Sequence, residues 1–482
     1  MKKIILFTLA CCPFIAAAQS LNWNSATIVN SDPTLGYTRP KVTLTKANKA
    51  VVMWGKANNK EVYVARQGSS GFNSPVNITP SGVTAFVQNW AGPSMDASGD
   101  TVFVAFKAQP EDEGLVYVVR SLDGGATFGD TVRVSSENWS RFAEVSVMPG
   151  GNPVVTYMEF DSNFVDPRYV VATSADAGAS FSTPVDGSLT APGEVCDCCP
   201  GFILAQPQRT ILMFRNNDNN LRDIWATVST DGGNSFPQGT DIDNNNWMIN
   251  SCPSTGPNAI TNGDSLLAVW MSGASGYSRI NLGKADLNTM NTGISTELTP
   301  GSTANQNYPK IAGRGDTLAV VWQESAAGKT NIMFAWSTTG ISGLLNNTPT
   351  IVNPVSSGAK LNPDMIYKNG IFHIVWQDNV SQAVAYRSAQ ISSGIGIAEG
   401  PKQKADLKLY PNPAMGYVNV SSANLTPDAE FSIYTSLGAE VLSGLHTETP
   451  LRLDVSSLPA GVYFIRLQDG AGTFAVRKLI IE

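Results

Sequence analysis

Short apolar runs that end in an aromatic residue recur along most of the chain. They close on Trp54, Phe106, Tyr157, Phe214, Trp270, Trp322 and Trp376, at spacings of 52, 51, 57, 56, 52 and 54 residues. Periods near fifty residues mark propellers or solenoids. Thirteen or fourteen residues ahead of most of these aromatics stands a proline: Pro40, Pro93, Pro200, Pro257, Pro309 and Pro363, with Glu144 taking that place in the third repeat. A second run follows each aromatic, at Val62–Arg66, Val116–Arg120, Tyr169–Thr173, Ile224–Val228, Ile280–Lys284, Ile332–Trp336 and Ala383–Arg387. These runs are rich in β-branched and aromatic residues and bounded by polar turns, as strands are. A further run follows in several repeats, as at Pro75–Ile78 and Thr131–Val134. Each repeat thus predicts four antiparallel strands, one blade of a propeller.

The seventh repeat stops near Ile391 without a fourth strand. The N-terminus carries a spare one, Ala26-Thr-Ile-Val-Asn30, which nearly copies Pro349-Thr-Ile-Val-Asn353. The N-terminal strand is therefore expected to complete the last blade and close the ring, which removes the open sheet edge. The expected fold class is all-β: a propeller of seven blades, with six as the alternative, followed by a small β-sandwich. A β-solenoid fits less well, because its repeats are usually shorter.

Three turns narrow the family. Ser121-Leu-Asp123-Gly-Gly125-Ala-Thr127-Phe128, Ser174-Ala-Asp176-Ala-Gly178-Ala-Ser180-Phe181 and Ser229-Thr-Asp231-Gly-Gly233-Asn-Ser235-Phe236 share the pattern S-x-D-x-G-x-[ST]-F. This resembles the Asp box of the sialidase (BNR-repeat) superfamily, and the resemblance covers about residues 30 to 390. Its physics is that of a turn: the Asp accepts backbone N–H groups, Gly takes positive φ and the aromatic plugs the blade. Such a motif speaks for fold and not for catalysis. Gln67–Phe72 and Ser337–Gly343 read as degraded copies.

Composition changes at residues 392–406, which read as a linker. Leu407-Lys-Leu-Tyr410-Pro411-Asn412-Pro413-Ala414 follows, then Leu458-Pro-Ala-Gly461-Val-Tyr463 about fifty residues later, and a terminal Arg477-Lys478-Leu479-Ile480-Ile481-Glu482. Together these resemble the type A sorting domain of the type IX secretion system of Bacteroidetes. The resemblance implies handling by that machinery, passage across the outer membrane, and removal of this domain with release or surface attachment. At the other end, Lys2 and Lys3 precede the short apolar stretch Ile4–Ile15 and the Ala16-Ala17-Ala18 cleavage pattern before Gln19, a signal peptide. A lipid anchor at Cys11 or Cys12 is the weaker reading: Thr8 stands three positions before Cys11, and Leu9 three before Cys12. The domains are thus residues 1–18 (leader), 19–391 (propeller), 392–406 (linker) and 407–482 (sorting sandwich), with an exported destination. No other segment is long and apolar enough to span a bilayer.

The net charge is −7, and no run of five basic residues occurs, which argues against a nucleic-acid partner. Two histidines, His373 and His446, rule out a multi-histidine centre in the propeller. Asn216–Asn220 and Asp241–Asn246 fit no twelve-residue calcium loop.

Sites in propellers lie at one mouth of the central channel. The residues just before the repeat prolines belong there: Tyr37 and Arg39, Trp90, Arg141 with Glu144, Glu194 with Asp197, Tyr308 and Asn362. Arginines grip carboxylates and aromatics stack on sugar faces, so an extracellular glycan or a protein is the expected ligand. The sialidase resemblance adds an arginine triad, a tyrosine nucleophile with a glutamate partner, and an aspartate acid/base. Arg39, Tyr308 and Glu144 or Glu194 are the positions that carry over. Arg39 lacks the flanking isoleucine of the family motif, and Arg141, Arg215 and Arg314 are bare candidates for the other two arginines. Binding without catalysis, hydrolysis of terminal acidic sugars and metal binding remain open.

Four cysteines survive cleavage of the leader. Cys196, Cys198 and Cys199 open the fourth repeat and Cys252 the fifth. In an oxidising compartment disulfides come first. Adjacent Cys198 and Cys199 cannot both reach partners freely. A thiolate site for copper or zinc is the second reading.

Overall fold

The computed structural model describes residues 20–392 and 407–482, apart from 58–60, 130, 162, 164, 355–357, 422–429, 436–439, 446–450 and 469–473. The leader, residues 393–406 of the linker and His446 lie outside the described residues. Two compact units divide the chain, one reaching from the N-terminal strands to the last propeller strand and the other holding the C-terminal domain.

The first unit is a seven-bladed propeller. Its inner strands are Thr38–Leu44, Ser94–Ser98, Ser140–Val147, Phe202–Gln206, Asn258–Asn262, Asn305–Arg314 and Lys360–Lys368, numbered here as blades one to seven. Each pairs antiparallel with a second strand that carries the repeat aromatic: Trp54, Phe106, Tyr157, Phe214, Trp270, Trp322 or Trp376. All seven aromatics are fully buried between blades. An aromatic that size removes some 150–250 Å² from water, so this ring is the main apolar filling. The blade faces alternate with period two, as strand geometry requires.

The ring closes as expected, and more extensively. Thr27–Asn30 pairs with Val384–Tyr386, and Ser20–Trp23 pairs with Ala389–Ser392. The propeller therefore ends one residue later than the sequence suggested: Ser392, read as linker, sits opposite Ser20.

The three Asp-box turns lie between the third and fourth strands of blades two, three and four. Their hydrogen bonds superimpose almost bond for bond. The Ser121, Ser174 and Ser229 hydroxyls accept from the N–H groups of Gly125, Gly178 and Gly233, each at 2.8 Å. The carboxylates of Asp123, Asp176 and Asp231 accept from the hydroxyls of Thr127, Ser180 and Ser235, each at 2.6 Å. Gly125, Gly178 and Gly233 take φ of 82°, 81° and 95°, where a side chain is strained. Phe128, Phe181 and Phe236 pack against the blade cores. In blade six the degraded copy gives way to a short helix, Gly340–Leu345, whose Leu344 is buried.

The second unit is a sandwich of a three-stranded sheet (Lys408–Tyr410, Tyr417–Ser421, Leu451–Asp454) and a four-stranded sheet (Glu440–Leu445, Glu430–Thr435, Gly461–Gln468, Phe474–Ile481). The motifs read from its sequence have local jobs. Asn412 donates to the Lys478 carbonyl and accepts from the Ile480 N–H, both at 2.8 Å, which fastens the first turn to the last strand. The Tyr463 hydroxyl donates to the Pro459 carbonyl at 2.8 Å.

Candidate functional site

The inner strands of blades one, three, six and seven carry the same irregularity. Pairing slips between Thr38 and Lys41, Arg141 and Glu144, Asn307 and Lys310, and Leu361 and Asp364. At each slip one residue adopts a left-handed conformation: Arg39 (φ 47°), Phe142 (53°), Tyr308 (51°) and Asn362 (49°). Non-glycine residues rarely sit there, and doing so costs about 1 kcal/mol or more. The slip is a β-bulge, a device that re-aims side chains at barrel rims and sites. It also corrects the sequence alignment. Ala143, not Glu144, occupies the proline position of blade three, and Glu144 is the counterpart of Lys41, Lys310 and Asp364.

One cavity at the mouth of the channel collects side chains from all seven blades. Its free volume is about 30 Å³, and it is lined by Arg39, Lys41, Trp90, Glu144, Tyr308, Lys310 and Asn362, with Gly201, Phe202, Gly256 and five of the repeat prolines. Of the residues expected there, Arg39, Trp90, Glu144, Tyr308 and Asn362 arrive. Tyr37, Arg141 and Glu194 do not line this cavity. Tyr37 packs into the core shared by blades one and seven. The Arg141 guanidinium is drawn to Asp112 and to the Asp197 carbonyl, and lies over the Phe160 ring. Glu194 is exposed in a two-residue strand opposite Asn217. Arg215 is fully buried and donates to the Arg222 and Met271 carbonyls at 2.7 and 2.6 Å. Arg314 pairs with Thr317 at the far hairpin of its inner strand. Arg39 is thus the one arginine lining the cavity.

The sequence reading missed Lys41 and Lys310. The signal was available, because residues two apart on a strand share a face and both lysines follow their pre-proline residue by two.

The charges at the mouth are unequally satisfied. Glu144 accepts a short hydrogen bond from Ser94 and lies 3.9 Å from the Lys41 ammonium. Arg39 donates to the Asn89 carbonyl at 3.3 Å, its Nε is buried without a partner, and its guanidinium lies 5.6 Å from the Tyr308 ring centre. The Lys310 ammonium has no hydrogen bond or ion pair among the described residues, while its backbone pairs with Val321. Burial pushes its ammonium down to about 7, reinforced by Lys41 and Arg39 and opposed by Asp364 and Glu144. Burial raises the Tyr308 hydroxyl, against the pull of Arg39.

Deeper in the channel, polar side chains clasp neighbouring blades. Asp364 accepts from the Val42 N–H at 2.9 Å, Asp96 from Val147 at 2.8 Å, and Asn258 from Ile311 at 2.9 Å. Burial lifts the Asp96 carboxyl to about 6. These groups are structural mortar, which separates them from Arg39 and Lys310.

Behind the cavity wall, Cys196, Cys198 and Cys199 are buried and unbridged. Their sulfurs stand 2.9 Å (196–199), 3.4 Å (196–198) and 4.0 Å (198–199) apart. Cys252 is exposed, and its sulfur groups with Cys198 and the Asp197 carboxylate. Hydrogen bonds from Cys198 and Cys199, with the charges of Arg222 and Arg215, hold the Cys196 thiol well below its usual range.

Comparison with known proteins decides the C-terminal unit. Residues 408–482 match the family described as a secretion system C-terminal sorting domain. The C-terminal unit is a type IX secretion sorting domain. The sorting domain implies secretion or attachment at the outer surface, and no helix among the described residues is long and apolar enough to cross a membrane. A search of the curated proteins returns no match. Among solved structures, a protein of unknown function from Dyadobacter fermentans is 10% identical, covering 77% of this chain and 99% of its own with a TM-score of 0.48. An α-L-arabinofuranosidase from Fusarium graminearum is 12% identical (77% and 98% covered, TM-score 0.42). A Trypanosoma rangeli sialidase in complex with the inhibitor DANA is 12% identical (92% and 85% covered, TM-score 0.41).

Proposed function

We propose that the exported propeller binds an acidic glycan at its channel mouth. The observation that carries this reading is the pair of unmatched cations, Arg39 and Lys310, on one cavity that also presents the Trp90 and Tyr308 rings. A sugar carboxylate would meet a guanidinium able to grip it bidentately, and the rings offer apolar faces to sugar C–H groups. Binding is favoured over sialidase-type hydrolysis by what surrounds these residues. Arg39 has no second arginine beside it, and Glu144 is engaged by Ser94 and Lys41 rather than by Tyr308.

Calorimetric titration of the secreted protein with uronate- or sialate-terminated oligosaccharides tests this. Arg39→Ala should weaken binding by roughly 10- to 100-fold, the range of a lost charge-assisted hydrogen bond of about 1.5–3 kcal/mol. Tyr308→Phe should leave affinity within about threefold, since the ring is kept. Equal affinity for neutral counterparts, or an Arg39→Ala protein that binds like wild type, would overturn the reading. Release of reducing sugar that Tyr308→Phe abolishes would replace it with the hydrolase.

A further inference from the structure

We infer that Cys196, Cys198 and Cys199 form a thiolate site for a soft monovalent d¹⁰ cation, copper(I), with Arg222 as the built-in counter-charge. Three sulfurs from one tetrapeptide converge within 4.0 Å of one another, sealed from solvent. The backbone holds the tetrapeptide in this shape. The Cys196 N–H donates to the Arg215 carbonyl at 2.8 Å and the Cys199 N–H to the Cys196 carbonyl at 3.2 Å. From the neighbouring blade, the buried Tyr169 hydroxyl donates to the Cys199 carbonyl at 2.5 Å.

Arg222 supplies the independent observation. It is 7% exposed, its Nη1 donates to the Cys196 sulfur at 2.9 Å, its Nε has no partner, and no carboxylate among the described residues pairs with it. A buried cation needs a counter-charge, and the sulfurs are what it faces. Neutral disulfides would leave that guanidinium against uncharged sulfur. Thiolates around a metal supply the negative charge, and a metal keeps buried thiolates from repelling one another.

Ligand number and type select the metal. Thiolates favour Cu(I) and Zn. Zinc prefers a closed tetrahedron of four ligands, and the fourth cysteine here is exposed and grouped with Cys198 and Asp197 instead. Three sealed thiolates suit a trigonal cation. Metal–sulfur bonds of about 2.3 Å in a plane place sulfurs ~4 Å apart, a spacing that Cys198 and Cys199 already hold. Loading requires the Cys196–Cys199 edge to open, with the protons still held on the sulfurs released as three metal–sulfur bonds form.

The test uses the full chain, reduced and kept anaerobic, titrated with copper(I) presented as its bicinchoninate complex. One equivalent should be withdrawn from the indicator, with three thiols becoming unreactive. Cys198→Ser should weaken retention by at least about 100-fold, while Cys252→Ser stays within threefold of wild type. Because a buried substitution can unfold the loop, thermal melts of the apo variants accompany the titration. A Cys198→Ser protein that melts like wild type yet retains copper equally overturns the site. So does protein isolated without reductant whose mass is two or four hydrogens short, since disulfides then occupy the sulfurs. Zinc held at one equivalent and not displaced by copper(I) overturns the choice of metal.

Discussion

The two ends of the blades repeat their backbone in different ways. At the Asp-box turns of blades two, three and four, conformation and side chains recur together, with serine, aspartate and glycine in matching bonds. At the channel mouth, blades one, three, six and seven share one bulge and one left-handed residue, yet the side chains there are Arg39, Phe142, Tyr308 and Asn362. Where side chains and backbone repeat together, the turn holds the fold. Where the backbone repeats and the side chains diverge, one frame displays different chemistry towards a common centre. The binding proposed above rests on the second kind of repetition.

Three perturbations set that contrast against measurement. The largest effect should come from Gly178→Val. At φ 81° its Cβ would stand 2.7 Å from Phe103 and 3.3 Å from Pro153, so strain and overpacking combine. A loss of about 2–4 kcal/mol is expected in denaturant unfolding, with glycan affinity of the folded fraction unchanged. A Gly178→Val protein as stable as wild type would remove the scaffold role of the box.

Next comes pH at the mouth. Lys310 stands near 7 in the folded chain against an ordinary 10.5. Between those values the folded state holds fewer protons than the unfolded, so this group makes stability rise with pH across that window. For an anionic ligand the sign is opposite: affinity should climb roughly tenfold as pH falls from 8 to 6, when the ammonium becomes charged. Proton uptake seen in buffers of differing ionisation enthalpy would accompany it. Lys310→Met should flatten the profile, and a wild-type profile already flat would exclude Lys310 from the site.

The smallest effect concerns the box carboxylates. Hydrogen bonds from Ser180 hold Asp176 near 2, below its ordinary 3.8. Its contribution is therefore present above about 3.8 and lost as pH falls toward 2. Asp176→Asn should flatten the acid limb of the stability curve slightly, and more weakly in high salt because the group is exposed. Binding at neutral pH should not respond.

How much of this could be read beforehand follows the same division. The aromatic period, the boxes and the spare N-terminal strand all announce themselves because local physics fixes them: burial, turn geometry and strand pairing. The mouth was half legible. Pro40 and Pro309 located Arg39 and Tyr308, but spacing could not see the slip in register that makes Glu144 the partner position of Lys41 and Lys310. Arg141 and Glu194 failed for a further reason. Their destinations depend on Asp112 and on the strand at Asn216–Asn217, each supplied by residues far along the chain. The cysteines were visible as a cluster, while the counter-charge that gives the cluster meaning, Arg222, comes from the next hairpin and carries no motif.

The joining of Ser20–Trp23 and Thr27–Asn30 to Ala383–Ser392 has a consequence in time. The first strands of the propeller to be synthesised have their partner among the last. Six blades can form in sequence as the chain emerges, yet the ring stays an open arc until the final hairpin arrives. Long-range closure of this kind is slow, because the ends must find each other across nearly the whole propeller. Once the last strand is delivered, the two termini of the propeller lock each other in place, and neither can fray without opening the circle.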